Sequence, residues 1–138
     1  NKSQISGSFG FFRSADVGKK FRLKISNLEG AVEEHFTQNT NGEIVLRNEN
    51  NENKHEPFHF DYLYCSCHLI SHCGSGKKRQ LGLVSRTSYR HRDLDNYKWE
   101  EWLILPVKYA DLPLNTQIVF TIWGISPTQE IPVGGCTL

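Results

Sequence analysis

The sequence of 138 residues contains no methionine, only five prolines and four cysteines, and no long apolar run. Its longest apolar segment, residues 118–125, includes Thr121 and Gly124 and is much shorter than the roughly 20 residues that a membrane-spanning helix needs. The chain starts at Asn1, and no basic stretch followed by an apolar stretch comes before the first strand-like pattern. We therefore expect a soluble fragment of a longer protein, without a signal segment.

An excess of charge of one sign is also missing. The 16 basic and 15 acidic residues give a formal net charge of +1, and this balance does not favour nucleic acid as a partner. Three of the four cysteines, Cys65, Cys67 and Cys73, lie close together in the sequence. Free thiols of this kind are typical of reducing compartments, and Cys65 cannot pair with Cys67 along one strand. We predict a cytoplasmic protein with no nucleic-acid partner.

Alternation of apolar and polar residues is the clearest structural signal. Residues 20–25 place Phe21, Leu23 and Ile25 on one face and basic residues on the other, as in a half-buried strand. Residues 117–123 repeat the pattern. The predicted core residues from these two strands are Phe21, Leu23, Ile25, Ile118, Phe120 and Ile122.

Further strand patterns follow one another with turn residues between them. Residues 62–70 and 81–84 flank a glycine-rich turn and predict a hairpin. Residues 101–105 predict a strand that ends at a proline-bounded connector, 106–113, and a last strand is expected around 133–138. Short strands without a long helix predict an all-β fold, an antiparallel β-sandwich of about seven to eight strands.

One long polar segment interrupts this pattern. Residues 38–57 are rich in Asn, Glu and Gly and have few apolar side chains. Such a segment buries too little apolar surface to offset its ordering entropy. We expect a long mobile loop within a single domain of 1–138, because a chain of this length forms one hydrophobic core.

Four motifs carry a resemblance to a known family. They are W-x-E-W-L at 99–103, L-P-V-K-Y-x-D-L-P at 105–113, T-I-W at 121–123 and P-V-G-G at 132–135. In this order and at these spacings the chain resembles the C2 domain of class III phosphatidylinositol 3-kinases. The specific part of the resemblance starts at the R-T-S-Y sequence of 86–89, and weaker matches lie at 23–30 and 62–70.

The resemblance implies a non-catalytic scaffold domain without a cofactor. The parent enzyme would phosphorylate the 3-hydroxyl of phosphatidylinositol on endosomal and autophagic membranes, using ATP and a divalent metal in a separate kinase domain. The C2 domain would dock two regulatory subunits, a pseudokinase-like protein kinase and a Beclin-type subunit. It would also pack beside the helical and kinase domains of its own chain. The implied location is the cytoplasm, peripheral to those membranes.

An autonomous phospholipid-binding module is the alternative function. Basic side chains near a bilayer surface each contribute about 1 kcal/mol of attraction to anionic lipid. The candidate membrane contacts are Lys77, Lys78 and Arg79 at a hairpin tip, with Arg90 and Arg92 in the next connection. A further basic face is expected on the strand that contains Lys20, Arg22 and Lys24, although such clusters are more often solvated surface.

Calcium is an unfavourable ligand for this sequence. Calcium takes 6 to 8 oxygen ligands, and the available carboxylates are Asp93, Asp95 and Glu130. The loop after T-I-W begins with Gly124, where the family often carries Asp. We expect a calcium-independent domain.

Two other motifs suggest chemistry, but their spacing is wrong. Cys65, Cys67, His68, His72 and Cys73 provide the atoms that zinc prefers. On a strand, however, Cys65 and Cys67 share the face of core residues. Zinc binding stays open as a minor alternative, which a zinc assay would test.

The sequence His91-Arg92-Asp93-Leu94 spells the start of a kinase catalytic loop. Lys98 stands where that loop needs Asn, so a solvated loop is the favoured interpretation. The three tryptophans, Trp99, Trp102 and Trp123, are expected in the core. An exposed one would be a candidate for an interface.

Overall fold

The computed structural model describes residues 13, 17–30, 35–47, 58–72, 74, 76–91 and 97–138. Its strands are β1 (Lys20–Leu28), β2 (Phe36–Gln38), β3 (Ile44–Leu46), β4 (Tyr62–His72), β5 (Lys78–Arg86), β6 (Arg90–His91), β7 (Tyr97–Lys108), β8 (Thr116–Ile125) and β9 (Glu130–Thr137). One turn of 3-10 helix, Tyr109–Asp111, follows β7. In the part of the chain so described, no helix has the length and apolar character to cross a membrane.

Antiparallel pairing arranges these strands in two packed layers. One layer has the strand order β5-β4-β8-β9, with β6 also paired to β4. The other layer contains β1 and β7, and β2 and β3 form a separate hairpin. The prediction of an all-β antiparallel sandwich is therefore confirmed.

The core lies between the layers and consists of two clusters of buried side chains. One contains Phe36, Phe60, Leu63, Tyr97 and Trp99. The other contains Cys67, Leu69, Leu103 and Leu105. The six residues from the alternating strands all pack against these clusters, but each is only half-buried. The fully buried side chains come mainly from β4 and β7, because these strands face each other at the centre of the sandwich.

Strand β7 is longer than the sequence pattern indicates. It continues through Pro106, where a connector was predicted. Lys20 lies opposite Lys108, whereas Arg22 lies opposite Ile104, so that β7 has two extra residues between these pairs. Proline has no N–H to donate and is tolerated where a strand bulges. The bulge thus allows the strand to extend past the proline.

The expected loop at 38–57 needs a correction. Ile44–Leu46 forms strand β3 and pairs with β2. The Asn39 side chain accepts hydrogen bonds from the Asn41 and Glu43 backbone N–H groups at 3.0 and 2.8 Å, which closes the turn. Ile44 packs against the core. Composition missed this hairpin because only a few apolar residues hold it, and residues 48–57 lie outside the described residues.

A contact between Gly124 and Phe60 explains why a glycine follows the T-I-W motif. Gly124 is buried in β8. A Cβ atom at this position would lie 2.5 Å from the ring of Phe60, which is fully buried. The ring therefore occupies the space that any side chain at residue 124 would need.

The R-T-S-Y and W-x-E-W motifs form one structural contact between β7 and the segment after β5. The Ser88 N–H donates to Glu101 Oε2 at 3.0 Å, and its hydroxyl donates to Glu101 Oε1. The Trp99 indole N–H donates to the Ser88 carbonyl at 3.1 Å. The Thr87 hydroxyl accepts from the Cys65 N–H at 2.9 Å, which ties the same segment to β4. These motif residues hold the two layers together.

Gly124→Ala should destabilise the fold by roughly 1–3 kcal/mol, because the added methyl group overpacks the Phe60 ring. Gly134→Ala is the matched control, since a Cβ at Gly134 meets nothing within 4 Å. Thermal unfolding of both variants checks this expectation. Equal melting temperatures for the two variants would contradict the packing described here.

Glu101→Gln should weaken the domain by about 1 kcal/mol, since a partly exposed charge-assisted contact contributes little more. Desolvation opposes ionisation of Glu101, but the Ser88 hydrogen bonds and the charge of Arg90 outweigh it and lower the pKa of the carboxyl group. Its stabilisation is therefore present at neutral pH and is lost as pH falls through that lowered pKa, below the usual Glu value of about 4.3.

Urea unfolding at several pH values measures this effect. The wild-type chain should lose stability more steeply in acid than Glu101→Gln does. Asp111→Asn serves as the control, because Asp111 is exposed in the 3-10 turn after β7, away from Ser88. Parallel pH profiles for the wild type and Glu101→Gln would rule out the assigned role.

Candidate functional site

The outer face of β1 and β7 carries the most distinctive exposed side chains in the described chain. Alternation along β7 turns Leu103 and Leu105 into the core and leaves Trp102 and Ile104 outside. Trp102 is 63% exposed and Ile104 is 51% exposed. Large exposed side chains of this kind are characteristic of interaction sites when they are grouped. We call this surface, formed by the outward residues of β1 and β7, the Trp102 face.

Two rows of side chains run side by side on the Trp102 face. The row on β7 is apolar at its centre, with Trp102, Ile104 and Pro106. The row on β1 is basic: Lys24 lies opposite Trp102, and Arg22 lies opposite Ile104. Adjacent strands are about 4.8 Å apart, so each cation stands beside an apolar residue.

The charge of the Trp102 face is mostly positive. The outward charged residues of β1 and β7 are Lys20, Arg22, Lys24, Lys98, Lys108 and Glu100. Five cations and one carboxylate give the face a net charge of +4 in a chain of net charge +1, which leaves −3 for the rest. The Lys24 ammonium forms an ion pair with Glu100 and, together with the charge of Lys98, lowers the pKa of that carboxyl group.

A local backbone distortion places Glu100 on this face. Its φ angle is +53°, a left-handed conformation that is uncommon for residues other than glycine. The register between β1 and β7 shifts at this point, between the pairs Ile25–Glu101 and Asn27–Lys98. This bulge directs Glu101 toward Ser88 and leaves Glu100 beside Lys24.

The candidate membrane contacts do not lie together. Lys77, Lys78 and Arg79 are exposed at the tip of the β4–β5 hairpin, where Lys78 pairs with His72. Arg90 pairs with Leu63 at the other end of β4. The nine residue steps from Leu63 to His72 span about 30 Å of strand. The tip and Arg90 therefore belong to different surfaces, and Arg92 lies outside the described residues.

The segment with the candidate zinc ligands forms most of strand β4. Cys67 belongs to the core, and burial raises the pKa of the Cys65 thiol to about 11 and that of the Cys67 thiol to about 12. Both thiols are therefore protonated at neutral pH, as buried structural cysteines are. The His72 ring contacts the Gln117 amide oxygen at 2.9 Å. Among the described residues no group of three His, Cys, Asp or Glu side chains converges on a metal position, and Cys73 lies outside them.

The candidate calcium ligands, the kinase-like sequence and the other tryptophans also form no common site among the described residues. Glu130, the carboxylate in the loop region after T-I-W, accepts a hydrogen bond from the Tyr64 hydroxyl. Burial and this carboxylate raise the pKa of Tyr64 to about 12. Residues 92–96, which include both Asp93 and Asp95 and most of the kinase-like sequence, lie outside the described residues. The other tryptophans are buried or half-buried: Trp99 donates to Ser88, and Trp123 donates to the Ser66 hydroxyl at 2.9 Å.

The sequence predicted the basic row of the Trp102 face, Lys20, Arg22 and Lys24, but it placed Trp102 in the core, and the exposure of Trp102 shows that this expectation was wrong. One signal for this exposure was available: residues 102–107 read W-L-I-L-P-V, an uninterrupted apolar run. In a strand with one solvent-facing side, such a run places apolar residues on both faces. Core formation by Leu103 and Leu105 therefore requires the exposure of Trp102 and Ile104, unless another element covers them.

Comparison with known proteins identifies the family. The model of the phosphoinositide 3-kinase C2 domain matches residues 60–138. Two soybean (Glycine max) proteins, the root and nodule isoforms of phosphatidylinositol 3-kinase, are each 25% identical to the chain over 130 residues. The match covers 94% of this chain and 14% of each relative, so the chain spans about one seventh of their length. The antiparallel sandwich and this match together show that the chain belongs to the phosphoinositide 3-kinase C2 domain family.

Proposed function

We propose that this chain is a non-catalytic scaffold domain of a class III phosphatidylinositol 3-kinase. It docks the regulatory subunits, a pseudokinase-like protein kinase and a Beclin-type subunit, and helps to place the kinase on endosomal and autophagic membranes for synthesis of phosphatidylinositol 3-phosphate. The observation that supports a docking role is the Trp102 face, where an exposed indole lies beside cations of the neighbouring strand.

The scaffold role is supported by the hydrogen bonds of the polar motif residues, which stabilise the fold. Glu101, Ser88 and Trp99 are engaged in hydrogen bonds that join the layers, rather than directed into a cleft. Cys65 and Cys67 have raised pKa values, which suits packing rather than nucleophilic chemistry. These residues support folding, while the solvent-facing side of the sheet is available to partners.

The proposal of a class III kinase depends on the motifs around β7, β8 and β9 and on the two soybean relatives. Both relatives are named as phosphatidylinositol 3-kinases. Because this chain corresponds to a small part of each, the kinase activity and its lipid substrate are proposed for the parent protein, and calcium independence is proposed for this domain. In that arrangement the domain packs beside its own helical and kinase domains in the cytoplasm.

An autonomous phospholipid-binding module is the second candidate, supported by the exposed cations of the hairpin tip, Lys77, Lys78 and Arg79. Three such cations give roughly 3 kcal/mol of attraction to an anionic bilayer, which corresponds to millimolar affinity at best. Arg90 cannot add to this contact, since it lies at the other end of β4. Within a complex the weak contact still contributes, because tethering raises its effective concentration.

Co-expression tests the scaffold role. The chain, with its fold verified, should co-purify with the pseudokinase-like and Beclin-type subunits. The destabilised Gly124→Ala variant shows how far capture depends on a native fold. Failure of the folded wild-type chain to associate with either subunit, alone or within its parent polypeptide, would refute the proposed function.

Vesicle flotation tests the lipid-binding alternative. The isolated chain should stay unbound to phosphatidylinositol-rich vesicles at near-physiological salt, with or without calcium, since attraction by a few exposed cations is screened. Lys77→Glu with Lys78→Glu should change the free energy of unfolding by less than about 0.5 kcal/mol, as exposed positions usually do. Salt-resistant flotation of the isolated domain would favour the membrane module instead.

A further inference from the structure

We propose that the Trp102 face is a docking site for an acidic amphipathic helix of a protein partner. The inference rests on the proposed scaffold function in choosing a protein as the partner, and it assigns the surface and the chemistry that the contact uses. It depends on how the described side chains of β1 and β7 are divided into an apolar row and a basic row.

The division into rows points to a partner with two corresponding rows of its own. Trp102 and Ile104 rise from β7, and Lys24 and Arg22 rise beside them from β1. An amphipathic helix presents an apolar stripe with charged residues along its flank. Its apolar stripe would cover β7, and its carboxylates would lie above β1.

The spacing of the cations on β1 agrees with the spacing of carboxylates along one side of a helix. Alternate residues on a strand are about 6.7 Å apart, so Lys24, Arg22 and Lys20 form a row at roughly that interval. Carboxylates at positions i and i+4 of a helix are about 6 Å apart along its axis and lie on one side. A helix of two to three turns therefore places one carboxylate near each cation of the row.

The neighbouring strand β5 carries further exposed apolar residues. The Ser85 hydroxyl donates to the Ile104 carbonyl at 3.2 Å, which brings β5 against β7. Gly82 has a φ angle of +73°, and a Cβ there would lie 3.2 Å from Pro106. Leu83 and Val84, the next residues in this bulge, are 75% and 49% exposed. Two exposed apolar residues thus lie on the strand that contacts β7.

Three classes of partner could cover this face: a second copy of the chain, a bilayer or another protein. A second copy of this chain, docked face to face, would bring two surfaces of net charge +4 together. A bilayer would hold Trp102 at headgroup level and attract the cations beside it, so the proposed scaffold role is what favours a protein over a membrane here. An acidic protein segment complements the charge and covers the indole, and Trp and Arg are the side chains most enriched at interface hot spots.

A labelled peptide is the direct probe of this surface. The probe is a capped helical peptide of about five turns, with Leu at positions i, i+3, i+4 and i+7 and Glu along one flank. A scrambled peptide of the same composition is its control. Fluorescence anisotropy with the folded chain should show saturable binding of the patterned peptide and at least tenfold weaker binding of the scrambled one.

Four variants locate the contact. Trp102→Ala and Arg22→Glu should each weaken peptide binding at least tenfold. Leu114→Ala and Lys78→Glu are matched controls, because they remove an exposed apolar side chain and reverse an exposed charge elsewhere; both should bind within twofold of the wild type. Absence of saturable binding, equal binding of the scrambled peptide or equal losses in the controls would overturn the inference.

Two further arms separate this inference from the proposed function. Vesicles of phosphatidylcholine with phosphatidylserine test the bilayer: flotation that Arg22→Glu abolishes, without peptide binding, would overturn the protein partner in favour of lipid.

Assembly of the parent kinase with its regulatory subunits tests the scaffold. Trp102→Ala should reduce assembly, whereas Leu114→Ala should not. Full assembly of Trp102→Ala refutes the surface and leaves the scaffold role standing, while failure of the wild-type kinase to assemble refutes the scaffold role itself.

Discussion

The packing of β4 against β7 is the contact on which the other parts of the structure depend. Leu63, Cys67 and Leu69 of β4 meet Leu103 and Leu105 of β7, or the aromatic residues near its start, in the two core clusters. Strand β4 also pairs with β5, β6 and β8, while β7 pairs with β1. Burial of these apolar side chains is the main favourable term in folding, so the positions of β1, β5, β6 and β8, which pair with β4 or β7, follow from this one interface.

The same packing creates the surface assigned to partner binding. Because side chains of a strand alternate between faces, burying Leu103 and Leu105 places Trp102 and Ile104 outside. The bulge at Glu100 then directs one carboxylate toward Ser88 and the next toward Lys24. Structural and interaction residues thus alternate along one strand, and a change of register by one residue would exchange them.

Several motif residues that look like ligands in the sequence have packing or hydrogen-bonding roles in the structure. Gly124 stands where a calcium ligand was sought, and its role is to leave room for Phe60. Cys65 and Cys67 resemble metal ligands, but they are buried with raised thiol pKa values. Ser88 and Glu101 are polar and exposed or half-buried, and they fasten two layers of the sandwich. Polar residues at these positions serve the fold.

The sequence by itself determined the fold class, most of the strands and the inward side of β1 and β8. Alternation and turn residues act over a few neighbouring residues, and the family motifs around β7 to β9 are local as well. Alternation already puts Trp99 and Trp102 on opposite faces of β7, but only the tertiary structure decided that the face of Trp99 is the core and that the face of Trp102 is exposed. The tertiary structure also separated the hairpin-tip lysines from Arg90 and turned part of the predicted loop into the β2–β3 hairpin. These outcomes depend on strand register and on contacts between distant residues, which a local pattern does not contain.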